Sequence, residues 1–460
     1  MLPVLTRDEM RAADAAALSK VSEDTLVTRA GTAVGHAAVR ILGGAYRRYV
    51  TVIVGQGNNG ADGRVAAAFL ARRGVRVTVM VAADAPRALG PADLVIDGAY
   101  GTGFRGAYDA PEVPPGVPVL SIDIPSGIDA DTGEGPGAPF RASHTVTFAA
   151  YKPGLLQGDG PRHCGAVQVT DIGIPLATPR AALMEDADIG ALLPARPRES
   201  NKWSTALGVV SGSVGMEGSA ILCTRGALAA GAGMIRLGTP GNPVGNWPTE
   251  AVRVSLGDPR WAGPFLEATT KCRAVVIGPG LGTGERAQAE IRALIAAAPH
   301  PLVIDADAIT ALGDLASARK LLAGRTHATI LTPHDGEFAR LAGSPPGDDR
   351  LAAARSLARG IGAIVLLKGP LTAVASPEAV TPDVYLAGAG VPALATAGTG
   401  DVLSGMIGGF LARGMPAQLA AALAAHVHGR AGSRGRSEGL VAGDLPDLAA
   451  ALLSEVRDDG

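Results

Sequence analysis

Short apolar runs recur along the chain, separated by amphipathic or glycine-opened stretches. Residues 7–20 carry apolar positions at helical spacing and predict an amphipathic helix. YVTVIVG (49–55) predicts a buried strand, and ADGRVAAAFLARRG (61–74) a helix closed by Gly74. Further strands are expected at 75–82, 93–98, 117–123, 144–150 and 166–172. A second series follows at 206–212, 274–280, 301–307, 328–334 and 363–369, with helices expected near 218–232, 285–298, 349–360 and 401–413. This alternation implies α/β domains built on mostly parallel sheets covered by helices.

The length of 460 residues is enough for two or three domains at roughly 150 residues each. The pattern breaks at LLPARPRES (192–200), which has two prolines, two arginines and no apolar periodicity. The expected division is therefore a domain over 1–185, a linker over 186–200 and a domain over 201–460. Hydrophobic residues make up 47% and charged residues 18%, so large cores can be buried. The formal charge is −2 without a basic patch, which argues against a nucleic-acid partner held by charge. The apolar stretch 220–237 is broken by Gly, Thr and Arg, so no membrane span is expected. MLPVLTRDEMRAAD does not read as a signal peptide. Cys164, Cys223 and Cys272 are scattered, which fits a reducing cytoplasm and gives no zinc spacing.

In the first half, the strand at 49–55 runs into GQGNNGADG (55–63) and a helix. Gly55, Gly57 and Gly60 satisfy G-x-G-x-x-G, whose glycines let a ligand approach backbone N–H groups at a helix N-terminus. With Asp84 at the end of the next strand, a NAD dehydrogenase is one reading. Asn58, Asn59 and Asp62 are suited to a sugar, an amide or a hard cation, or they form an Asx-rich turn capping the helix. The loops DGAYGTGFRG (97–106) and DIPSGIDADTG (123–133) follow neighbouring strands. Ligands bind beyond the carboxyl ends of parallel strands, so Asn59, Asp97, Asp123 and Ser126 can converge there. Asp97 also reads as a simple turn former.

In the second half, ATAGTGDVLSGMIGGFLARG (395–414) places Gly398, Gly400 and Asp401 at the start of a helix. Backbone N–H groups there suit a phosphate, and Asp401 can accept a hydroxyl proton during phosphoryl transfer. Its alternative role is to cap the helix. Lys368, at the end of the strand 363–367, can meet a phosphate or be solvated, and Thr372 offers a hydroxyl. GPGLGTGE (278–285) is a second glycine loop. His334 is a ring contact or a structural histidine. Asp305 and Asp307 serve a magnesium ion through water or cap the short helix after them.

GQGNNGADG, DGAYGTGFRG, SIDIPSGIDADTG and TFAAYKPGL, in that order over about 5–180, resemble the NAD(P)H-hydrate epimerase family. The resemblance implies a Rossmann-like fold and interconversion of the R and S epimers of hydrated NADH and NADPH. It implies substrate contacts from Asn58, Asn59, Gly60, Ala61 and Asp62 and from Gly101, Thr102, Gly103, Phe104, Arg105 and Gly106. It further implies a potassium ion on Asn59, Asp97 and Ser126, and a catalytic Asp123 at the reacting ring. Ala61 stands where the family usually has glycine; a position needing positive φ would make that substitution costly.

GAGMIRLGTP (231–240), GPGLGTG (278–284), VIDADAI (303–309), LTPHDGEFARL (331–341), KGPLT (368–372), AGTGDVLSG (397–405) and HVHGRAG (426–432) resemble the ribokinase-like superfamily and, within it, the NAD(P)H-hydrate dehydratase family. The implied chemistry is phosphorylation of the hydrate's ring hydroxyl by ADP or ATP with Mg²⁺, then loss of phosphate. Lys368, Gly369, Pro370, Leu371, Thr372 and Gly400 would contact the adenine nucleotide. Ser219, Gly282, His334 and the catalytic Asp401 would contact the hydrated dinucleotide. The expected whole is two three-layer αβα domains in a cytoplasmic, bifunctional, homo-oligomeric enzyme using ADP. The partners expected are hydrated NADH or NADPH and adenine nucleotide, without nucleic acid or membrane. The rival readings are an alcohol kinase fused to a non-catalytic ligand-binding domain, and the dehydrogenase above.

Overall fold

The computed structural model describes residues 1–458, which divide into two compact units, Leu2–Arg180 and the residues from Ala181 onward. The first division point lies a few residues before the expected one. The stretch read as a linker opens with helix Asp186–Leu192, whose start is fixed by reciprocal capping between Glu185 and Asp188 and whose Ile189 is fully buried. Seven residues offer too little periodicity to register as a helix.

The first unit is a six-stranded sheet in the order Arg76–Val81, Tyr49–Val54, Leu94–Gly98, Val119–Ile122, His144–Phe148 and Ala166–Thr170. All its pairings are parallel. Strand Tyr49–Val54 is buried along almost its whole length, as its unbroken apolar run requires. Helix Asn58–Ala71 packs on helix Glu23–Leu42, which the sequence pattern did not reveal. Two glycines one turn apart explain both the packing and the omission. A Cβ on Gly31 would lie 2.5 Å from Val65 Cβ, and one on Gly35 2.4 Å from the Phe69 ring. The helices therefore approach closely, at the expense of helix propensity.

The second unit carries a sheet whose order is Ala181–Leu183, Val384–Ala387, Thr372–Ala375, Ile364–Leu367, Thr329–Leu331, Leu302–Ile304, Ala274–Ile277, Ala206–Val210, Met234–Gly238 and Ala251–Val254. Only Thr372–Ala375 runs against its neighbours. Helix Thr399–Ala412 is buried around most of its circumference and packs on helix Glu217–Ala229. Its glycines make that possible: a Cβ on Gly405 would fall 1.9 Å from the Cys223 carbonyl oxygen. Helices Ala417–Arg434 and Leu445–Asp458 complete the core and were not anticipated. Alanine and glycine dominate the former, so its apolar stripe is faint.

Both sheets reverse their strand order at one point. In the first unit the chain leaves Tyr49–Val54 to either side, toward Arg76–Val81 and Leu94–Gly98. In the second, Ala206–Val210 lies between Met234–Gly238 and Ala274–Ile277. At such a switch point the loops beyond the carboxyl ends diverge and leave a crevice. The glycine loops read from the sequence lie at these two places.

Candidate active sites

In the first unit, Gly55 ends its strand against the neighbouring loop, where an added Cβ would sit 1.9 Å from the Ala99 carbonyl oxygen. A Cβ on Gly60 would meet the Gly55 carbonyl oxygen at 2.0 Å. Asn58, Asn59, Gly60, Ala61 and Asp62 form the first turn of helix Asn58–Ala71, behind an N-cap Gly57 without a side-chain cap. The Asx-cap reading is thus incorrect, and the helix begins earlier than expected. The concern over Ala61 also falls away: it lies within a helix and is absent from the positive-φ residues, so methyl replaces hydrogen without backbone cost.

Asn59 Nδ2 donates to the carbonyl oxygens of Tyr100, at 2.9 Å, and Ile122, at 2.7 Å, tying three strand ends together. Its Oδ1 faces Gly101, where a Cβ would come within 2.6 Å. Asp97 is completely buried. Its carboxylate accepts from the Ser121 hydroxyl at 2.9 Å, from Ser126 N at 2.8 Å, and from the Ser126 hydroxyl and Ala99 N. These partners are all neutral, and burial drives its pKa up. The Ser126 hydroxyl also accepts from Tyr100 N at 2.8 Å. Asn59, Asp97 and Ser126 therefore form one connected oxygen-rich cluster, and Asp97 is more than a turn former.

Asp123 sits in the left-handed region with φ 64°, and Ala149 shares that strain with φ 64°. Lys152, 1% exposed, donates to Asp123 Oδ1 at 2.5 Å, to the Thr147 hydroxyl at 2.8 Å and to the Phe148 carbonyl at 3.0 Å. Asp123 lines a cavity of about 170 Å³ with Asn58, Asp62, Thr102, Asp14 and Phe148 among others. Burial, reinforced by the Asp123 charge, lifts the Asp62 pKa to about 8. Burial likewise raises that of Asp14. Lys152 and Asp14 were missed. The first lay inside the quoted TFAAYKPGL run, where a buried lysine needs a buried acid as partner; no local signal marks the second. Of the loop 101–106, only Thr102 lines this cavity. Asp84 is exposed after the edge strand.

In the second unit, helix Thr399–Ala412 starts behind Gly398, which has φ +89°, so Asp401 lies in the first turn and is not the cap. The Ser219 hydroxyl, in the first turn of helix Glu217–Ala229, lies close enough to its carboxylate to favour the charged form. Burial raises the Asp401 pKa to about 6, against the opposing pull of that hydroxyl. Gly280 has φ +67°, and a Cβ there would come 2.9 Å from the Ser219 hydroxyl. Gly282 N donates to Asp307 Oδ2 at 2.7 Å. Ser219, Gly282 and Asp401 thus gather around one switch point.

Lys368 Nζ lies 3.7 Å from where a Cβ on Gly400 would stand. It donates to Asp305 Oδ1 at 2.9 Å. Asp305 also accepts from the Thr332 and Ser404 hydroxyls, both at 2.7 Å. Burial works against the charge on Asp305, but Lys368 and the hydroxyls prevail and hold its pKa below the usual range. Both its oxygens are engaged by these groups, so Asp305 anchors the lysine, and it does not cap helix Asp307–Leu312, whose N-cap is Ala306. Burial raises the pKa of Glu337, 3.9 Å from the same ammonium. A cavity of about 770 Å³ opens here, lined by His334, Lys368, Gly369, Pro370, Thr372, Gly400 and His428 among others.

Two expectations shift in detail. Leu371 is 2% exposed and belongs to the core, and it does not line the cavity. His334 is the N-cap of helix Asp335–Ala342: Nδ1 accepts from Gly336 N at 3.0 Å, and Nε2 lies 3.6 Å from the Glu337 carboxylate. Arg350, unnoticed in the sequence, donates to the Lys368 carbonyl at 2.6 Å and pairs with Asp335 at 2.9 Å. Burial holds the His428 pKa down to about 4, and its Nε2 meets the Thr399 carbonyl at 3.0 Å. A donor sequence position of this kind is visible only once the helices are packed.

Two α/β units built on mostly parallel sheets, each with a polar cluster at its switch point, define the class of doubly wound α/β proteins whose ligands sit beyond the strand ends. Comparison with known proteins makes the assignment specific. Residues 207–454 match the NAD(P)H-hydrate dehydratase family, and residues 23–90 and 81–154 match the YjeF-related N-terminal family. The bifunctional NAD(P)H-hydrate repair enzyme Nnr of Mycobacterium tuberculosis is 40% identical, with 90% of each chain covered. Its counterpart in Mycobacterium leprae is 38% identical, with 97% of each covered. A ribokinase-like superfamily protein from Enterococcus faecalis shares the second unit's fold, with TM-score 0.52 and 23% identity over 62% of this chain and 98% of its own. The chain belongs to the family of bifunctional NAD(P)H-hydrate repair enzymes, with an epimerase and a dehydratase region. Among the described residues no helix is long and apolar enough to cross a membrane.

Proposed function

We propose that this protein repairs hydrated NADH and NADPH: the first unit interconverts the R and S hydrates, and the second dehydrates the S hydrate at the expense of ADP. The observation that carries the reading is the Asp401 carboxylate in the first turn of a helix whose N-terminus, at Thr399 and Gly400, opens on the 770 Å³ cavity beside Lys368. A hydroxyl held at Asp401 would lose its proton to that carboxylate as phosphoryl transfer proceeds. Helix N–H groups and the lysine would compensate the phosphate charge. Ser219 orients Asp401, while Asp305 and Glu337 hold Lys368. His334, Gly369, Pro370 and Thr372 would flank the nucleotide, and Gly282 the hydrated dinucleotide. Magnesium would arrive on the nucleotide phosphates; Asp305 is committed to Lys368.

In the first unit the buried Asp97, held only by neutral donors, fits a monovalent cation, and all the candidate donors are oxygens of Asn59, Asp97 and Ser126. Potassium would compensate that charge and fix the three loops around the substrate. Asp123 would then face the reacting ring. The three cysteines are free and buried, which supports a cytoplasmic setting.

The test is incubation of purified S hydrate with ADP and Mg²⁺. Formation of reduced nicotinamide with equal AMP and phosphate supports the reading. A stable phosphorylated hydrate, or no turnover on hydrate, refutes it and favours the alcohol-kinase alternative.

A further inference from the structure

Resting on the epimerase reading above, we propose that Asp62 and Asp123 form a two-carboxyl acid–base pair that inverts the hydrate's ring carbon, with Lys152 as the positioning residue for Asp123. The two carboxyls line the same small cavity and differ in their surroundings. Asp123 is ion-paired to Lys152, whose ammonium is locked by Thr147 and Phe148. Asp62 lies 5% exposed with no cationic partner among the described residues. Two neighbouring carboxyls of which one is compensated and one is not will share a proton, and it rests on the uncompensated one. The strained backbone at Asp123 and Ala149 argues that this placement is held against a conformational preference.

A hydrated nicotinamide bears its hydroxyl on a ring carbon bonded to nitrogen. Asp62 gives its proton to that hydroxyl oxygen. The C–O bond breaks, its electron pair leaves with water, and the ring nitrogen lone pair forms a C=N bond. Water then adds to the opposite face: its oxygen pair forms the new C–O bond, the C=N pair returns to nitrogen, and the released proton passes to Asp123. The reverse direction starts from the opposite proton arrangement. Both arrangements hold one proton, so both directions share the same pH dependence. The groups facing this pair are Asp14, Glu23 and Lys152.

The experiment follows conversion of pure R hydrate to S by the full chain without nucleotide, in H₂¹⁸O, for the natural sequence and for Asp62→Asn. The expected result is ¹⁸O entering the ring hydroxyl as fast as inversion, at least a hundredfold loss in Asp62→Asn, and kcat/KM falling above pH about 8. Dehydration of S hydrate with ADP must persist in the variant, which shows that the second unit is folded, and an unchanged thermal unfolding profile of the full chain shows the same of the first. Inversion without ¹⁸O incorporation overturns the C–O cleavage step, and Asp62→Asn activity within a few-fold of the natural enzyme overturns the role of Asp62. Lys152→Arg supplies the positioning test: kcat is expected to fall more than tenfold with KM little changed, and unchanged kcat overturns that role. If the natural enzyme does not invert the hydrate at all, the epimerase reading itself fails, a result distinct from every outcome that concerns Asp62.

Discussion

Asp401 shows how environment assigns a role to a side chain whose sequence context leaves two. As a helix cap it would be solvated and acidic. Half-buried beside Ser219, it has its pKa pushed up to about 6, which suits a base working around neutrality. Burial disfavours its charged form, so the active carboxylate is lost as the pH falls. Dehydration kcat/KM is therefore expected to decline below pH about 6, measured with S hydrate and ADP. Asp401→Asn should lower dehydration by about a hundredfold or more while leaving epimerisation intact; equal loss of both activities contradicts two separate sites. Lys368 belongs to the same scale. Its replacement by Met would strand Asp305, which is only 2% exposed, as an unpaired buried charge. The expected cost is about 3 kcal/mol in urea unfolding, because removing one partner of a buried pair leaves the other uncompensated. A loss below about 1 kcal/mol would show that water or the hydroxyls suffice.

Among elements, close helix packing decides where the reacting groups stand. Ser219 and Asp401 lie on different helices, Glu217–Ala229 and Thr399–Ala412, which meet through Gly226, Gly405 and Gly409. Gly405→Ala would force a methyl toward the Cys223 carbonyl oxygen, 1.9 Å from its ideal position. It is expected to destabilise the protein by about 1–3 kcal/mol or more, and to reduce dehydration by moving Ser219 away from Asp401. Thermal unfolding and the dehydration assay together check this; an unaffected variant would mean that the two helices can slide without consequence. The glycines in GMIGGF were legible as a motif, but their packing partner was not, since nothing in the sequence names Cys223 as the neighbour. The strand runs were legible for a simple reason: strands covered on both faces must be continuously apolar. Helices such as Glu23–Leu42 and Ala417–Arg434 escaped because glycine and alanine blur the apolar stripe.

At the scale of the whole molecule, each unit places its polar residues at its own switch point. Asn59, Asp97 and Ser126 come together in the first, as the loop order along the chain led one to expect, while the Asp123 side chain faces the cavity it shares with Asp62; in the second, Ser219 and Asp401 stand near one another, a grouping that the family resemblance alone implied. Lys152, Asp14, Arg350 and His428 were not foreseen, because a supporting side chain is defined by three-dimensional neighbours. Leu371 shows the converse, a motif residue whose side chain serves the core. Fusion of the two units has a chemical rationale: the hydrate forms as two epimers, and a dehydratase specific for one would strand the other. The most direct measurement is recovery of reduced nicotinamide, by absorbance, from a mixed R,S hydrate given ADP and Mg²⁺. Recovery of both epimers, faster than spontaneous epimerisation, is the predicted result. Recovery that stops at the S fraction would contradict a working first unit, and no recovery with ADP or ATP would contradict the repair function altogether.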